Sequence, residues 1–271
     1  MAARRSAHLN VMVDAAEKAG RALTRDFGEV EQLQVSKKGP NDFVSAADLK
    51  SEKILREELL KARPSYGFLL EEGGEVKGED KAYRWLIDPL DGTTNFLHGL
   101  PHWSISIALE KTSENGRDRE IVAAVVYDPI KNELFTAEKG GGAFSNSKRL
   151  RVSGRASLTD SLVAVGEDFF HGSPRPTLSG VRRMGSACLD LAYVAAGRFD
   201  AHWDTGLSPW DKAAGSLIVR EAGGYVSEVD GGKNFVYGKG ILTANPTLHA
   251  ELLKIFQQSS PQEPVKAKAA P

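Results

Sequence analysis

Apolar residues in the first quarter of the chain recur at helical spacing. Leu9, Val13, Ala16, Ala19/Gly20 and Leu23 fall three or four positions apart with polar residues between them, which predicts an amphipathic helix over residues 8–27. A second helix is predicted over Ala47 to Ala62, carried by Leu49, Ile54, Leu55, Leu59 and Leu60 and ended by Pro64. Between the two, Lys37-Lys38-Gly39-Pro40 reads as a polar connector.

The rhythm then changes. Phe68-Leu69-Leu70 and Arg84-Trp85-Leu86-Ile87 are short apolar runs, each leading directly into acids. Trp103, Ile105, Ile107 and Leu109 alternate with Ser104, Ser106 and Ala108, the period-2 pattern of a strand. Ile121–Tyr127 and Glu133–Ala137 flank Asp128-Pro129-Ile130-Lys131-Asn132 and predict a hairpin. Gly140-Gly141-Gly142 lacks the following Lys-Ser/Thr of a phosphate-binding loop and reads as a plain turn.

Beyond Arg151, strand-like and helical stretches alternate. Leu162–Val165, Ala201–Trp203 and Ile241–Ala244 are strand-like, and Ser186–Ala196, Ser208–Ala222 and Thr247–Gln257 are helical. The change of rhythm suggests an α+β unit over 1–148 and an α/β unit over 149–258, with a seam near 145–155. Residues 259–271, rich in Pro, Lys, Ala and Gln and without an apolar face, are expected to be a disordered tail.

Composition narrows the class. With 41% hydrophobic and 26% charged residues in 271, the chain has the makings of a sizeable core in one large or two modest domains. A net charge of -1 argues against a surface built chain-wide for nucleic acid. The N-terminal segment carries Arg4 and Arg5 but no continuous apolar stretch, so it reads as part of the mature protein rather than a signal peptide. No apolar run reaches the ~18 residues a membrane span needs, which leaves the cytoplasm as the expected compartment. Cys188 is the only cysteine, so no intramolecular disulfide forms, and its neighbours predict a buried structural thiol.

Several carboxylates stand where a regular element ends or begins. Glu71 and Glu72 follow Phe68-Leu69-Leu70, and Asp88 and Asp91 follow Trp85-Leu86-Ile87. Asp48 opens the second helix after Ser45-Ala46-Ala47, and Asp211 closes Ser208-Pro209-Trp210-Asp211 before a helical stretch. Strand ends in α/β proteins hold functional groups rigidly at the rim of a crevice. Carboxylates converging there repel one another and lose solvation, a conflict that a divalent cation removes. Oxygen donors without histidine or cysteine point to Mg²⁺, or Mn²⁺ in its place, rather than zinc.

Pro89, with its fixed φ and missing N–H, is expected to take the chain out of the strand between Asp88 and Asp91. The turn would aim both carboxylates and the Leu90 carbonyl at one point. Gly92 and Thr93 would offer backbone N–H groups to a phosphate if a helix begins there. Each motif also has a plain structural reading. Asp-Pro is commonly a turn, Glu71-Glu72 is a solvated acidic turn, and Ser208 with Pro209 and Asp211 makes a helix-capping box.

In combination these segments resemble the inositol monophosphatase family. Asp88-Pro89-Leu90-Asp91-Gly92-Thr93-Thr94-Asn95-Phe96 resembles its first signature. Trp210-Asp211-Lys212-Ala213-Ala214-Gly215, followed by Glu221-Ala222-Gly223-Gly224, resembles the second. Glu71-Glu72 stands where the family has a Glu-Glu pair, and Gly185-Ser186-Ala187 with Asp190 resembles the segment between the signatures. The resemblance runs from residue 8 to residue 257.

It implies a layered alternating α/β sandwich of the inositol monophosphatase/fructose-1,6-bisphosphatase type. It also implies Mg²⁺-dependent hydrolysis of a small phosphorylated polyol or sugar, with inositol 1-phosphate as the leading substrate. By position, Glu71, Asp88 and the Leu90 carbonyl would hold a first Mg²⁺, and Asp88, Asp91 and Asp211 a second. Glu71 would touch a third, weaker ion through water. Thr93 supported by Asp48, together with Glu71 and Asp91, would form the catalytic set around an attacking water. Gly92 and Thr93 would bind phosphate, and Gly185, Ser186, Ala187, Asp204 and Asp211 would face the substrate, with Lys37, or Lys38 in its place, nearby. Inhibition by Li⁺ and a homodimer are also implied.

Asp204 departs from the resemblance, because inositol-preferring members carry Glu there. A side chain shorter by one methylene shifts preference by ~1–3 kcal/mol. Histidinol phosphate, fructose 1,6-bisphosphate, NADP and 3′-phosphoadenosine nucleotides therefore stay open as substrates. His171, Arg175, Arg182 and Arg183 read as a solvated basic surface, and His98 and His102 as loop residues. Some bacterial members of the family bind transcription machinery or RNA, which is the alternative outside catalysis.

Overall fold

The structure, a computed structural model, describes residues 5–29, 35–39, 42–116, 118–166 and 176–259. Most of the proposed tail, together with His171 and Arg175, lies outside the described residues, and so does the Lys37 side chain.

The first helix, α1 (Ala7–Phe27), starts where the Ser6 side chain accepts from Leu9 N and buries the predicted stripe, Leu9, Val13, Ala16, Ala19, Gly20 and Leu23. The stretch read as a connector is instead a hairpin, β1 (Val35–Gly39) with β2 (Asp42–Ser45). Its strands are too short and polar to show a period in sequence. The second helix, α2 (Ala46–Ala62), turns Leu55 and Leu59 inward but leaves Leu49 and Leu60 exposed, because its inner face is completed by Ala47, Asp48, Ser51 and Glu52.

An antiparallel and parallel mixture follows: β3 (Tyr66–Leu70), β4 (Gly74–Val76), β5 (Asp80–Asp91), the short α3 (Thr93–Leu97), β6 (Ser104–Thr112), β7 (Arg119–Asp128), β8 (Glu133–Glu138), β9 (Gly142–Ser145) and β10 (Lys148–Arg149). The strands form one sheet in the order β10-β9-β8-β7-β6-β5-β3-β4. β7 and β8 are the predicted hairpin. Gly140 and Gly141 form the turn and Gly142 opens β9, and the N–H groups of Gly140 and Gly142 each donate to the Glu221 carboxylate at 2.8 Å.

The remaining elements are β11 (Leu162–Val165), β12 (Gly180–Arg182), α4 (Ala187–Ala195), β13 (Ala201–Thr205), α5 (Pro209–Glu221), β14 (Tyr225–Ser227), β15 (Gly240–Ala244) and α6 (Pro246–Ser259). They add a second mixed sheet in the order β12-β11-β13-β15-β14.

The layers run α1/α2, large sheet, α4/α5, small sheet, α6. Both faces of β6 are therefore buried, and Ser104 and Ser106, the polar half of its alternation, lie under helices rather than in water. Ile105, Ile107 and Leu109 pack toward α1 and α2. Leu86, Ala108 and Ala124 pack with Leu189, Leu191 and Leu217 of the inner helices. Every residue of α4 is buried, which explains its almost wholly apolar sequence. This is an α+β layered sandwich, and its inner helices carry their N-termini to the end of β5.

Candidate active site

β5 does not end at Pro89. Its pairing with β6 runs Asp88↔Ser106 and then Asp91↔Ser104, so Pro89 and Leu90 together oppose the single residue Ile105. Proline is tolerated there because a bulged position needs no ladder N–H. The extra residue matters more than a turn would. In a regular strand Asp88 and Asp91, three apart, point to opposite faces; the bulge brings Asp88, Asp91 and Leu90 to one cleft. Ser51 of α2 pins the bulge by donating to the Pro89 carbonyl at 2.8 Å.

The acids gathered there are crowded. Asp88 is 2% exposed. Burial first, then the charges of Glu71, Asp91 and Asp211, push its pKa well above the carboxylate range. Asp91 is raised by burial despite three gifts from the start of α4 and β6: its Oδ2 accepts from Cys188 N at 2.9 Å, from Ser186 Oγ at 2.5 Å, and from Ser104 Oγ at 3.4 Å. Asp211 is pushed up to about 7, mainly by burial and then by Asp91. Its Oδ2 accepts from Ser208 N at 2.7 Å, so the predicted capping box exists and the same carboxylate still lines the cleft.

Asp48 repeats that arrangement on α2. Oδ2 accepts from Ser45 N at 2.9 Å in a capping box, while Oδ1 lies 2.9 Å from the Thr93 hydroxyl. Thr93 Oγ1 is also 3.0 Å from the Leu90 carbonyl. Gly92, with φ +91°, caps α3; a Cβ there would stand 3.1 Å from the His102 carbonyl and 3.2 Å from that of Gly185. Glu71 and Glu72 leave β3 in a turn held by Glu52, whose Oε2 accepts from Glu72 N at 2.8 Å.

The resulting cleft has a volume of about 270 Å³. Its lining takes in Glu71, Asp88, Leu90, Asp91, Gly92, Thr93, Gly185, Ser186, Ala187, Asp204 and Asp211, which is every residue expected at the site except Asp48 and Lys37. Asp48 stands behind Thr93. A larger cleft of about 680 Å³ lies at the far end of α5, beside Arg220 and Tyr237, but gathers none of these acids. Chemistry rather than size marks the smaller one as the candidate.

Comparison with known proteins agrees with this geometry. Residues 5–260 match the model of the inositol monophosphatase family. The chain belongs to the inositol monophosphatase family. An inositol-1-monophosphatase of Mesorhizobium japonicum is 56% identical over 265 residues, covering 94% of this chain and 97% of that one. The Nus factor SuhB of Escherichia coli K12 is 43% identical over 256 residues, covering 90% and 94%. Among solved structures, the extragenic suppressor protein suhB from Bartonella henselae superposes with a TM-score of 0.86 at 51% identity, covering 93% and 99%. A Thermotoga maritima IMPase gives 0.83 at 35%, covering 94% and 98%. The family is one of metal-dependent phosphatases, and the chain is an enzyme of the phosphoric monoester hydrolase class.

The donor set suits such a metal. Asp88 and Asp91 come together with Cys188 in one compact group, but the thiol is a poor member of it. Burial and three flanking carboxylates raise Cys188 well above its usual value, which keeps the thiol protonated. Its sulfur instead donates to the Asp211 carbonyl at 3.3 Å. The oxygens that remain are hard donors suited to a hard divalent cation.

Some residues of the site gave no signal in sequence. Asn95 joins three segments by donating to the carbonyls of His102 and Met184, each at 2.8 Å. Glu52 and Ser51 read as ordinary helix positions. Asp190, Val165, Gly166 and Leu207 line the cleft without having been assigned a site role. His102 is buried and lowered to about 4, and exposed His98 lies 2.8 Å from the Thr94 carbonyl, so both are loop residues as read. Among the described residues no helix is long and apolar enough to cross a membrane.

Proposed function

We propose that this chain hydrolyses a small phosphorylated polyol, inositol 1-phosphate first, with Mg²⁺. The observation that carries the reading is one buried cleft lined by Glu71, Asp88, Asp91 and Asp211 with a Thr93–Asp48 hydrogen bond at its edge. Two or three Mg²⁺ ions, with Mn²⁺ as a substitute, would be held by Glu71, Asp88, the Leu90 carbonyl, Asp91 and Asp211. When bound they supply Lewis-acid stabilisation of the transferring phosphoryl group.

The chain's own groups do the positioning. Asp48 fixes the Thr93 hydroxyl, which orients the attacking water. The Gly92 and Thr93 N–H groups and the start of α4 at Gly185, Ser186 and Ala187 meet the phosphate oxygens. Asp204, whose Oδ1 accepts from Thr205 N at 2.7 Å, walls the side of the cleft facing the alcohol. Cytoplasmic location, a homodimer and Li⁺ sensitivity belong to the same proposal.

Similarity to the Nus factor SuhB supports a second reading, a role in transcription. A phosphate-release panel of inositol 1-phosphate, histidinol phosphate, fructose 1,6-bisphosphate, NADP and 3′-phosphoadenosine 5′-phosphate separates the two. Turnover that needs Mg²⁺, stops in EDTA and is lost in Asp91→Asn is the expected result. Folded, Mg²⁺-loaded protein that releases phosphate from none of them would bring the transcription reading forward.

A further inference from the structure

Lys212 is completely buried, and among the described residues no other lysine or arginine is. It follows Asp211 in the first turn of α5, the end of a helix that disfavours a cation. Its Nζ donates to the Gly238 carbonyl at 2.7 Å. Burial pulls its pKa below the usual lysine value, and the charges of Asp211, Glu228 and Asp204 oppose that pull. Asp211 and Asp204 line the cleft and Lys212 does not, so the ammonium stands behind the cleft wall.

The acceptor is itself held from both sides. Before it, Tyr237 donates to Glu110 of β6, and Arg84 of β5 reaches both: its Nε lies 2.6 Å from Glu110 Oε2 and its Nη2 2.8 Å from the Tyr237 hydroxyl. After it, the Lys239 carbonyl accepts from Gly206 N at 3.0 Å, and Gly240 and Ile241 pair with Thr205 and Asp204. Residues 237–241 therefore form a strap from β5, which ends in the proposed metal acids, to β13, which carries Asp204. Lys212 ties that strap to α5.

A tether alone does not call for a charge. An uncharged donor serves a carbonyl, and a methionine would fill the same space without the loss of hydration that a buried ammonium suffers. What a charge adds here is a field on the far side of Asp211 and Asp204. The cleft is lined by six acids, Glu71, Asp88, Asp91, Asp190, Asp204 and Asp211, and by no basic residue. A cation behind the wall tempers that concentration of negative charge without taking a ligand position.

We propose that Lys212 is a positioning residue that ties Gly238 to α5 and whose buried charge, behind Asp211, weakens the hold of the cleft on divalent cations. The inference rests on the reading of Asp211 as a metal ligand. Calorimetric titration with Mg²⁺ and with Mn²⁺, at one pH and without substrate, tests it in wild type, Lys212→Met, Lys212→Gln and Lys212→Arg. Methionine removes the charge and the tether, glutamine removes the charge but keeps a shorter donor, and arginine keeps the charge. Both neutral variants are expected to bind Mg²⁺ about five- to tenfold more tightly than wild type, and Lys212→Arg to stay within about twofold. The Mg²⁺ concentration that half-saturates phosphate release should move by the same factors.

A lysine that only supports the strap gives the opposite sign, because a loosened wall holds a cation less well. Unchanged or weaker Mg²⁺ binding in either neutral variant overturns the inference. So does tighter binding in Lys212→Arg, which would assign the effect to packing. Thermal melts in EDTA establish that each variant is folded; if the bulkier arginine is not accepted, the two neutral variants decide. Wild type that binds neither Mg²⁺ nor Mn²⁺ removes the metal reading itself, whereas wild type that binds Mg²⁺ no less tightly than the neutral variants removes only the role of Lys212.

Discussion

A carboxylate has two oxygens, and at two positions this chain uses them for different tasks. Asp48 and Asp211 each stand third in a helix and give one oxygen to the backbone N–H of the capping serine, Ser45 or Ser208. The other oxygen of Asp48 serves Thr93, and Asp211 remains part of the cleft lining. The capping role of these acids therefore leaves an oxygen for the proposed functional one. In the proposed mechanism Thr93, bonded to Asp48, directs the attacking water. Thr93→Ala is expected to lower kcat by about 10²-fold or more with little change in Mg²⁺ affinity, while Thr93→Ser keeps kcat within about tenfold of wild type. Phosphate-release kinetics over a Mg²⁺ titration check this. Full turnover in the alanine variant would remove Thr93 from the mechanism.

Elements set how exactly those oxygens are placed, and capping gives a way to measure it. Ser45→Ala removes the α2 capping box and costs about 1 kcal/mol of stability. It also removes the hydroxyl that donates to Asp48 Oδ2 and leaves only the backbone N–H of residue 45 to hold that carboxylate, so turnover should fall. Ser6→Ala removes the α1 cap, a contact of 3.2 Å to Leu9 N, at similar cost but far from the cleft. Thermal melts should match for the two variants while only Ser45→Ala slows phosphate release; equal activity would show that the α2 cap does not hold the site. Elements were legible where a period had room to show. The 21-residue α1 and the β7–β8 hairpin were read directly. β1, β12 and β14, of five, three and three residues, are too short to display one. Pro89 was read as the end of a strand because its missing N–H is a local fact, whereas the bulge that accommodates it depends on the register against β6. The acids could be found because they flank apolar runs. Glu52 and Asn95 could not, because their partners, Glu72 and Met184, lie far off in sequence.

Across the whole molecule, the division into units over 1–148 and 149–258 remains a proposal, and packing limits how independent they would be. One buried cluster joins Leu86, Ala108 and Phe135 of the large sheet to Leu189, Leu217 and Ile241 from the second half, so a single unfolding transition is expected. That transition should carry the charge of the site. In metal-free protein burial raises Asp48, Asp88 and Asp91, lifts Asp211 to about 7 and Asp190 to about 8, from an ordinary value of 3.8. Each of these acids keeps its proton in the folded chain at a pH where the unfolded chain has lost it. Their contribution is whole below 3.8 and is lost as pH rises through the folded values, toward about 8. His202 has the opposite sign: burial lowers it from 6.5 to about 4, so its neutral form stabilises the fold less as pH falls below 6.5. Between those values it offsets one acid, Asp190, and the proposed metal ligands set the net slope. The melting midpoint in EDTA should therefore fall from about pH 5 to about pH 8, each kcal/mol lost showing as about 2–4 °C in a chain of this size. Saturating Mg²⁺ should flatten or reverse that slope, because the cation competes with the same protons and gains as they leave. Melts that rise with pH in EDTA, or that keep their downward slope in Mg²⁺, would mean that these acids do not bind the cation as a group.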